Sequence, residues 1–131
     1  GAMFSNIPNF SAVFGYLNAS WTLRADLISE YVCKLLNHMD SVGANVATPA
    51  LAEDHGMEED DIFDFSSGYI QRGRHLMPRN AHHLPWRLNQ DYRQDKADLA
   101  RLPIADGVIT FTHAGTDAAN DSAPPEAIAA E

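Results

Sequence analysis

A run of apolar residues at helical spacing is the feature that most constrains how this chain folds. Between residues 21 and 41 the apolar side chains fall three or four positions apart: Leu23, Leu27, Ile28, Tyr31, Val32, Leu35, Leu36 and Met39. Ser20 stands before the run as an N-cap residue, and Gly43 follows it as a stop signal. The pattern predicts one long amphipathic helix, which needs an apolar surface to cover its buried face.

The residues before this helix predict a strand and a polar turn. Residues 9–16 include Phe10, Val13 and Phe14 and contain few polar residues. This composition favours a short strand buried on both faces. A helix that starts directly after a strand presents free N–H groups and about half a positive charge to a ligand. In sheets with helices on both faces, cofactors bind at such junctions. An ordinary strand–turn–helix without a ligand is the alternative interpretation.

Weaker patterns follow along the chain. Residues 65–77 favour a shorter helix with Asp64 or Ser66 as its cap, and residues 88–102 favour a third helix. Residues 108–112 are rich in β-branched side chains and predict a terminal strand. Together with the long helix, these elements predict an α+β fold.

Other stretches predict irregular structure. Proline, glycine and a dense acidic run indicate a surface loop over residues 45–61, and residues 78–86 are predicted to be irregular. Residues 113–131, rich in Ala, Asp, Ser and Pro, indicate a flexible tail. Gly1 and Ala2 are interpreted as the remnant of a cleaved tag and are left out of the predicted domain, which spans residues 3–112.

Composition excludes several classes of function. A formal charge of −9 opposes binding to nucleic acid or to an anionic membrane. Apolar runs fall short of the roughly 20 residues that span a bilayer, so we expect a soluble cytoplasmic protein. Cys33, the one cysteine, is predicted to be a buried inert thiol on the long helix. The histidine spacings match no ligand signature, so we predict no metal site.

Charge is divided unevenly along the chain. Seven of the nine Lys and Arg residues lie between positions 72 and 101, whereas positions 53–64 hold seven acids and no base. We expect the two segments to attract each other within one fold, although each surface pair contributes little.

Several linked motifs occur in a fixed order. They are FGYLNASWTL at residues 14–23, LLNHM at 35–39, SSGYIQR at 66–72, MPR at 77–79 and LPWRLNQDY at 84–92. In this order they resemble the flavin-containing monooxygenases of the Baeyer–Villiger type, in particular the thioamide-activating subgroup. The resemblance runs from about residue 8 to residue 112, and Leu17 departs from it, since Thr or Asn is more usual there.

The resemblance implies a fold and a cofactor site. It identifies residues 3–112 as the C-terminal segment of a FAD-binding domain, that is, an α+β fragment of an α/β domain. Members of the family bind FAD and NADPH and insert oxygen next to a ketone or onto sulfur. By the resemblance, seven residues line the flavin side of that site: Gly15, Tyr16, Asn18, Ala19, Ser20, Trp21 and Thr22. Backbone N–H groups near Trp21 and Thr22 are expected to meet the flavin ring.

The chain lacks the other parts of such a site. It contains neither of the two Gly-rich nucleotide loops nor the family fingerprint, so no catalytic residue is assigned and we expect the chain alone to be inactive. The alternative function is a non-enzymatic interaction module. In that case residues 10–16, from Phe10 to Tyr16, form an exposed edge that pairs with another copy, giving a homodimer or higher oligomer.

Overall fold

The computed structural model describes residues 2–53, 55–61, 68–82 and 85–115. Within these ranges the chain forms a small α+β domain with three α-helices and short antiparallel strand pairs. The elements in chain order are α1 (Trp21–Val42), β1 (Val46–Pro49), β2 (Glu59–Asp61), α2 (Gly68–Gly73), a 3₁₀ turn (Arg74–Leu76), β3 (Arg79–Ala81), α3 (Tyr92–Arg101) and β4 (Ile109–Thr112).

Helix α1 confirms the prediction from apolar spacing. It ends at Gly43, whose left-handed backbone (φ 66°) favours glycine and lets its N–H bond the carbonyl of Asp40. One face of α1 is buried against α3, β1 and β4 in a single core, which contains Leu27, Ile28, Tyr31, Leu35, Met39, Ala47, Leu99 and Ile109. Burial of this face supplies most of the stability of the helix.

The main sheet joins distant parts of the chain. Strand β1 pairs antiparallel with β4, with Val46 opposite Thr112 and Pro49 opposite Ile109. The predicted terminal strand is therefore confirmed. The predicted surface loop over 45–61 is wrong at both ends, because β1 and β2 lie within it, and the irregular stretch over 78–86 contains β3. These strands are too short to show an alternation pattern, and their pairing partners fix them.

The two later helices fit their predictions in type. Helix α2 continues into the 3₁₀ turn, which ends at Leu76; Met77 caps it, directly before Pro78. The proposed caps Asp64 and Ser66 lie outside the described residues. Helix α3 begins later than residue 88 because the side chain of Asp91 caps it, accepting the N–H groups of Arg93 and Gln94 at 2.8 and 3.0 Å.

The predicted buried strand over residues 9–16 is wrong. In the described chain this segment makes a single isolated β-bridge, between Met3 and Ser11. Asn6, before the segment, and Asn9, at its start, adopt left-handed backbone conformations. They bond β1 partly through their side-chain amides; Oδ1 of Asn9, for example, accepts the N–H of Ala47 at 2.9 Å. These two turns divert the chain, and residues 12–16 form no regular secondary structure.

One further prediction about an individual residue is wrong. Cys33 is exposed, because it lies two residues after the buried Tyr31 and so points about 200° away from it around the helix. Ala2, which the tag interpretation left out of the fold, is 1% exposed and belongs to the core. Its N–H donates to the carbonyl of Pro85 at 3.0 Å, and its own carbonyl accepts the N–H of Ala12.

The predicted attraction between the acidic and basic segments is confirmed at the β2–β3 pair. Glu59 lies opposite Ala81 in the register, and its carboxylate is 3.6 Å from Nε of Arg79. Both side chains are substantially exposed, so this ion pair contributes little stability by itself. Within the described ranges, none of the helices combines the length and apolar character needed to cross a bilayer.

Ionisation of the core tyrosine predicts a loss of stability at alkaline pH. Burial, with the Asp106 carboxylate as a second cause, raises the pKa of Tyr31 to about 12 from its usual 10. Between these pH values the unfolded chain releases a proton that the folded chain retains. The free energy of unfolding therefore falls as pH rises, by up to about 1.4 kcal/mol per pH unit.

Tyr31→Phe is expected to remove this contribution. Urea unfolding at pH 8 and pH 11 measures it, and the wild-type chain should lose more stability over that interval than the variant does. The pKa of Tyr16 is also raised, so the variant keeps part of the dependence. An equal loss in both proteins would contradict the assignment to Tyr31.

Candidate functional site

The seven predicted flavin-site residues lie together at the turn that leads into α1. Gly15 and Tyr16 are buried, whereas the other five are exposed around the start of the helix: Asn18, Ala19, Ser20, Trp21 and Thr22. The structure thus divides the predicted site into an inner anchor and an outer rim. The role of these residues in binding flavin stays a prediction.

A flat ring does lie against Gly15, but it belongs to the chain itself. The indole of Trp21 packs so closely on the glycine that any Cβ at position 15 would overlap the ring. The same indole contacts Phe14, with ring centroids 5.4 Å apart and planes tilted by 43°. Trp21 remains 54% exposed, so its outer face is open. Glycine at position 15 is required by this close approach.

The inner anchor is a buried polar cluster. Tyr16 donates its hydroxyl to Oδ2 of Asp95 at 2.7 Å, and the Arg24 guanidinium pairs with the same oxygen. Asn89 donates to the second oxygen, Oδ1, at 3.1 Å. Burial, followed by the hydrogen bond to Asp95, raises the pKa of Tyr16 above its ordinary value. The phenol therefore stays a neutral donor at physiological pH, bound to Asp95.

Aromatic contacts complete this cluster. The guanidinium of Arg24 lies 5.7 Å from the centre of the Tyr16 ring, and Tyr92 meets that ring edge-on at 6.2 Å. Arg24 and Asp95 are 1% and 2% exposed, so their charges are compensated within the protein rather than by water. The cluster joins the turn, α1 and α3 into one unit.

Gln90 holds the exposed side of the turn. Its Oε1 accepts the backbone N–H of Leu17 at 2.8 Å, and its carbonyl accepts the side-chain amide of Asn18 at 3.2 Å. Since Tyr16 is fixed from inside and residues 17 and 18 from outside, the turn has a defined conformation. Rigid placement of this kind is what a binding loop needs to avoid an ordering cost.

The start of α1 is open to a ligand. Ser20 occupies the N-cap position, yet its side chain makes no capping hydrogen bond and contacts the Thr22 hydroxyl at 2.8 Å instead. First-turn N–H groups without a side-chain cap, together with the partial positive charge of the helix end, suit an anionic or electron-rich acceptor. That the N–H groups near Trp21 and Thr22 meet a flavin ring stays a prediction.

Arg24, Asp95 and Gln90 are not among the site residues predicted from the sequence. The sequence does contain a sign of the role of Arg24, because its position falls on the buried face of α1. That face consists of positions 24, 27, 28, 31, 35 and 39, and Arg24 is the charged residue among them. A buried arginine requires a counter-ion. Asp95 lies 71 residues away, and no local pattern identifies it as that partner.

A separate cavity of about 630 Å³ lies beside the turn, between the N-terminal segment and the β2–β3 pair. Its walls are mostly apolar and include Met3, Phe4, Ile7, Val13, Phe14, Leu51, Met57, Met77, Trp86 and Leu88. Phe14 is the residue that joins this cavity to the Trp21 indole. None of the seven predicted flavin-site residues lines it.

The polar groups at the cavity are engaged with one another. His55 accepts the N–H of Met57 through Nδ1 at 3.0 Å, and its Nε2 lies 3.2 Å from Glu59. Glu59 in turn pairs with Arg79. Over the described ranges, no three His, Cys, Asp or Glu side chains come close enough together to bind a metal ion.

Comparison with known proteins identifies relatives for most of the chain. It is 41% identical over 117 residues to the FAD-containing monooxygenase MymA of Mycobacterium tuberculosis H37Rv, and the match covers 89% of this chain and 24% of MymA. The FAD-containing monooxygenase EthA of the same strain is 42% identical over 113 residues, which are 85% of this chain and 22% of EthA. The FAD-binding monooxygenase AlmA of Acinetobacter baylyi is 38% identical over 111 residues, 85% of this chain and 22% of AlmA.

These relatives are of one kind. The chain is similar to one segment of these FAD-containing and FAD-binding monooxygenases, and it spans about a quarter of the length of each relative it matches. EthA is among the relatives, in agreement with the subgroup that the sequence motifs resemble. No protein-family model and no solved structure matches the chain.

Proposed function

We propose that this chain acts as the C-terminal segment of the FAD-binding domain of a flavin-dependent monooxygenase and supplies one wall of its flavin site. The turn over residues 15–22 forms that wall. The supporting observation is that this turn has a fixed conformation and lies beside the start of α1, which has no side-chain cap. Tyr16 holds the turn on its buried side, and Gln90 holds it on its exposed side. Three relatives named for FAD agree with it.

The chemistry of the turn suits a flavin edge. Reduced flavin carries negative charge at its pyrimidine side, and N–H groups at a helix start stabilise such charge without reorganising. The exposed residues Asn18, Ser20 and Thr22 add further polar groups. Tyr16 and Gly15 act behind this surface, since both are buried.

The parent reaction follows from the family. Bound FAD, reduced by NADPH, would supply the redox chemistry for inserting oxygen next to a ketone or onto sulfur. This chain carries neither Gly-rich loop, so its sequence contains no motif that binds the pyrophosphate of FAD or of NADPH. We infer that the chain alone is catalytically silent and that its part is to position and polarise the ring.

The purified chain is expected to be colourless and to leave NADPH unoxidised when FAD is added. The chain has two tryptophans, so the position of any bound flavin is testable by quenching. Saturable quenching by FAD should persist in Trp86→Phe, in which Trp21 is the emitter, and be absent from Trp21→Phe. Lumiflavin, which has no pyrophosphate, serves as the matched ligand.

Two results would contradict the proposal. A yellow protein that oxidises NADPH would show that the chain holds a complete site. Quenching confined to Trp86, which lines the apolar cavity, would place the flavin away from the turn.

A second candidate is the oligomerising interaction module. It is favoured by the exposed fractions of Phe10 and Val13, 46% and 40%, in a segment that has no strand beside it in the described chain. In this case the chain carries no flavin, and its function is assembly through residues 10–16. The oligomeric state of the isolated chain distinguishes the two candidates.

A further inference from the structure

The cavity between the N-terminal segment and the β2–β3 pair has the size and lining of a small-molecule site. Its volume of about 630 Å³ lies within the range of roughly 300–1,000 Å³ that such sites occupy. It reaches into the folded interior, because four residues of its wall are buried: Ala2, Met3, Ala81 and Leu88. None of the seven predicted flavin-site residues lines it, so the cavity is separate from the turn.

Hydrogen bonds hold the N-terminal wall of this cavity, residues 2–7, on two sides. On one side the N–H of Ala2 donates to the carbonyl of Pro85 at 3.0 Å. On the other, the side-chain amide of Asn6 donates to the carbonyl of Leu51 at 3.0 Å and accepts the N–H of the same residue at 3.1 Å. Since the wall is tied to both neighbouring segments, the cavity is already formed, and binding of a ligand requires little ordering of the chain.

The charged groups of the wall are paired with one another. The carboxylate of Glu59 lies 3.2 Å from Nε2 of His55 and 3.6 Å from Nε of Arg79. Nδ1 of His55 accepts the N–H of Met57, which leaves Nε2 to carry the proton and donate to Glu59. A charged ligand would have to displace these contacts or enter apolar surroundings without a counter-ion, and both are unfavourable. The wall therefore favours an uncharged ligand.

Asn80 supplies a hydrogen-bond donor to the wall. Its Oδ1 accepts the N–H of Leu88 at 2.7 Å, and this bond fixes the orientation of the amide. Among the residues that the structure describes, Nδ2 of Asn80 has no partner. A neutral acceptor, such as an ester or amide oxygen, would satisfy it. An apolar wall with a few fixed polar groups is typical of small-molecule sites.

We propose that this cavity binds an uncharged, mainly apolar small molecule that carries one hydrogen-bond acceptor. The apolar part of the ligand packs on the inner wall, and its acceptor meets Nδ2 of Asn80. Three methionines belong to the wall, Met3, Met57 and Met77, and their flexible side chains let the site accept related molecules of different shape. The inference does not depend on the flavin wall, because the turn contributes no residue to this cavity.

Displacement of a neutral fluorescent probe from the purified chain tests the site. The probe is N-phenyl-1-naphthylamine, which accepts excitation energy from tryptophan. In the Trp21→Phe variant the emitter is Trp86, which lines the cavity, so sensitised probe emission reports binding there. We expect saturable emission with one probe bound per chain.

Three competitors with the same alkyl chain distinguish the classes of ligand: methyl decanoate, decanoate and decylammonium. Methyl decanoate is neutral and has an ester acceptor, whereas the other two are charged. It should displace the probe at a concentration at least about tenfold lower than either charged compound, since burial of an unpaired charge is unfavourable. Equal competition by all three would overturn the proposal, because the cavity would then not select an uncharged ligand.

Two variants locate the bound probe. Ala12→Phe places a ring on the cavity wall and should weaken probe binding at least about tenfold, because the added side chain occupies the space of the ligand. Ala50→Phe is the matched control, since this alanine is exposed and outside the wall. Met57→Ala covers the case in which Ala12→Phe does not fold by circular dichroism, and it should weaken binding about fivefold through the loss of apolar contact.

The remaining outcomes separate this proposal from the others. No saturable emission, or equal binding in wild type, Ala12→Phe and Met57→Ala, would refute a ligand site in the cavity. Displacement of the probe by lumiflavin would make the cavity a flavin site, and weaker binding at higher protein concentration would make a second copy its occupant. Probe binding in the cavity without FAD quenching of Trp21 would support the ligand site and exclude the flavin wall.

Discussion

Replacement of Asp95 by leucine is expected to lower the free energy of unfolding by about 3–5 kcal/mol, which leaves much of the chain unfolded. The variant removes the counter-ion of Arg24, whose guanidinium is 1% exposed and has no route to water. It also removes the acceptor of the Tyr16 hydroxyl and of the Asn89 amide. The buried Arg24 charge then keeps only the Asn89 carbonyl at 3.5 Å, and the buried Tyr16 hydroxyl loses its acceptor, so both carry a desolvation cost.

The double variant Arg24→Met with Asp95→Leu is the informative control. It removes both charges, so it should recover most of the stability that either single variant loses, and the difference defines the coupling energy of the pair. Urea unfolding followed by circular dichroism measures all four proteins. If the two single losses simply add, Arg24 and Asp95 are not paired in solution, and the anchor assigned to the turn has to be abandoned.

The same cluster shows which parts of the fold are predictable from sequence. Helix α1 and its stop at Gly43 follow from residues within one local window: apolar spacing specifies the buried face, and a glycine provides the left-handed conformation. Strand β4 follows in the same way from β-branched content. Arg24 with Asp95, by contrast, depends on the packing of α1 against α3, which no local pattern contains.

The strand predicted over residues 9–16 shows a different limit of prediction from sequence. The apolar pattern of residues 9–16 describes an environment buried on both sides, and the described chain supplies only one side of it. The prediction is therefore wrong for the chain as folded, although the pattern itself is informative.

The acidic segment was mispredicted for a third reason. Charge density there indicates solvent exposure, and Glu59 is indeed exposed, but exposure does not exclude a strand. Strand β2 forms because its backbone pairs with β3, and the exposed Glu59–Arg79 ion pair adds only a little to that pairing. The charge distribution predicts the attraction between the two segments correctly. It does not predict the strand, because the pairing of short strands is decided by tertiary contacts.

Gly15→Ala is expected to cost about 1–3 kcal/mol and to displace the indole of Trp21. A methyl group at position 15 overlaps the ring, and the indole is the movable side of that contact because it is more than half exposed. The emission maximum and near-ultraviolet circular dichroism of Trp21 should both change. Gly73→Ala is the matched control, since no atom lies near its added Cβ and its φ of −89° suits alanine.

The double variant Gly15→Ala with Trp21→Ala separates packing from function. Without the indole, the three atoms that lie nearest to the added methyl group are gone, so Gly15→Ala should cost less in the Trp21→Ala background. If the turn forms a flavin wall, Gly15→Ala alone should also weaken FAD quenching of the displaced Trp21, whereas Gly73→Ala leaves it unchanged. An unaltered Trp21 spectrum in Gly15→Ala would mean that the indole does not rest on Gly15 in solution, and the inner and outer parts of the site would then not be coupled through this contact.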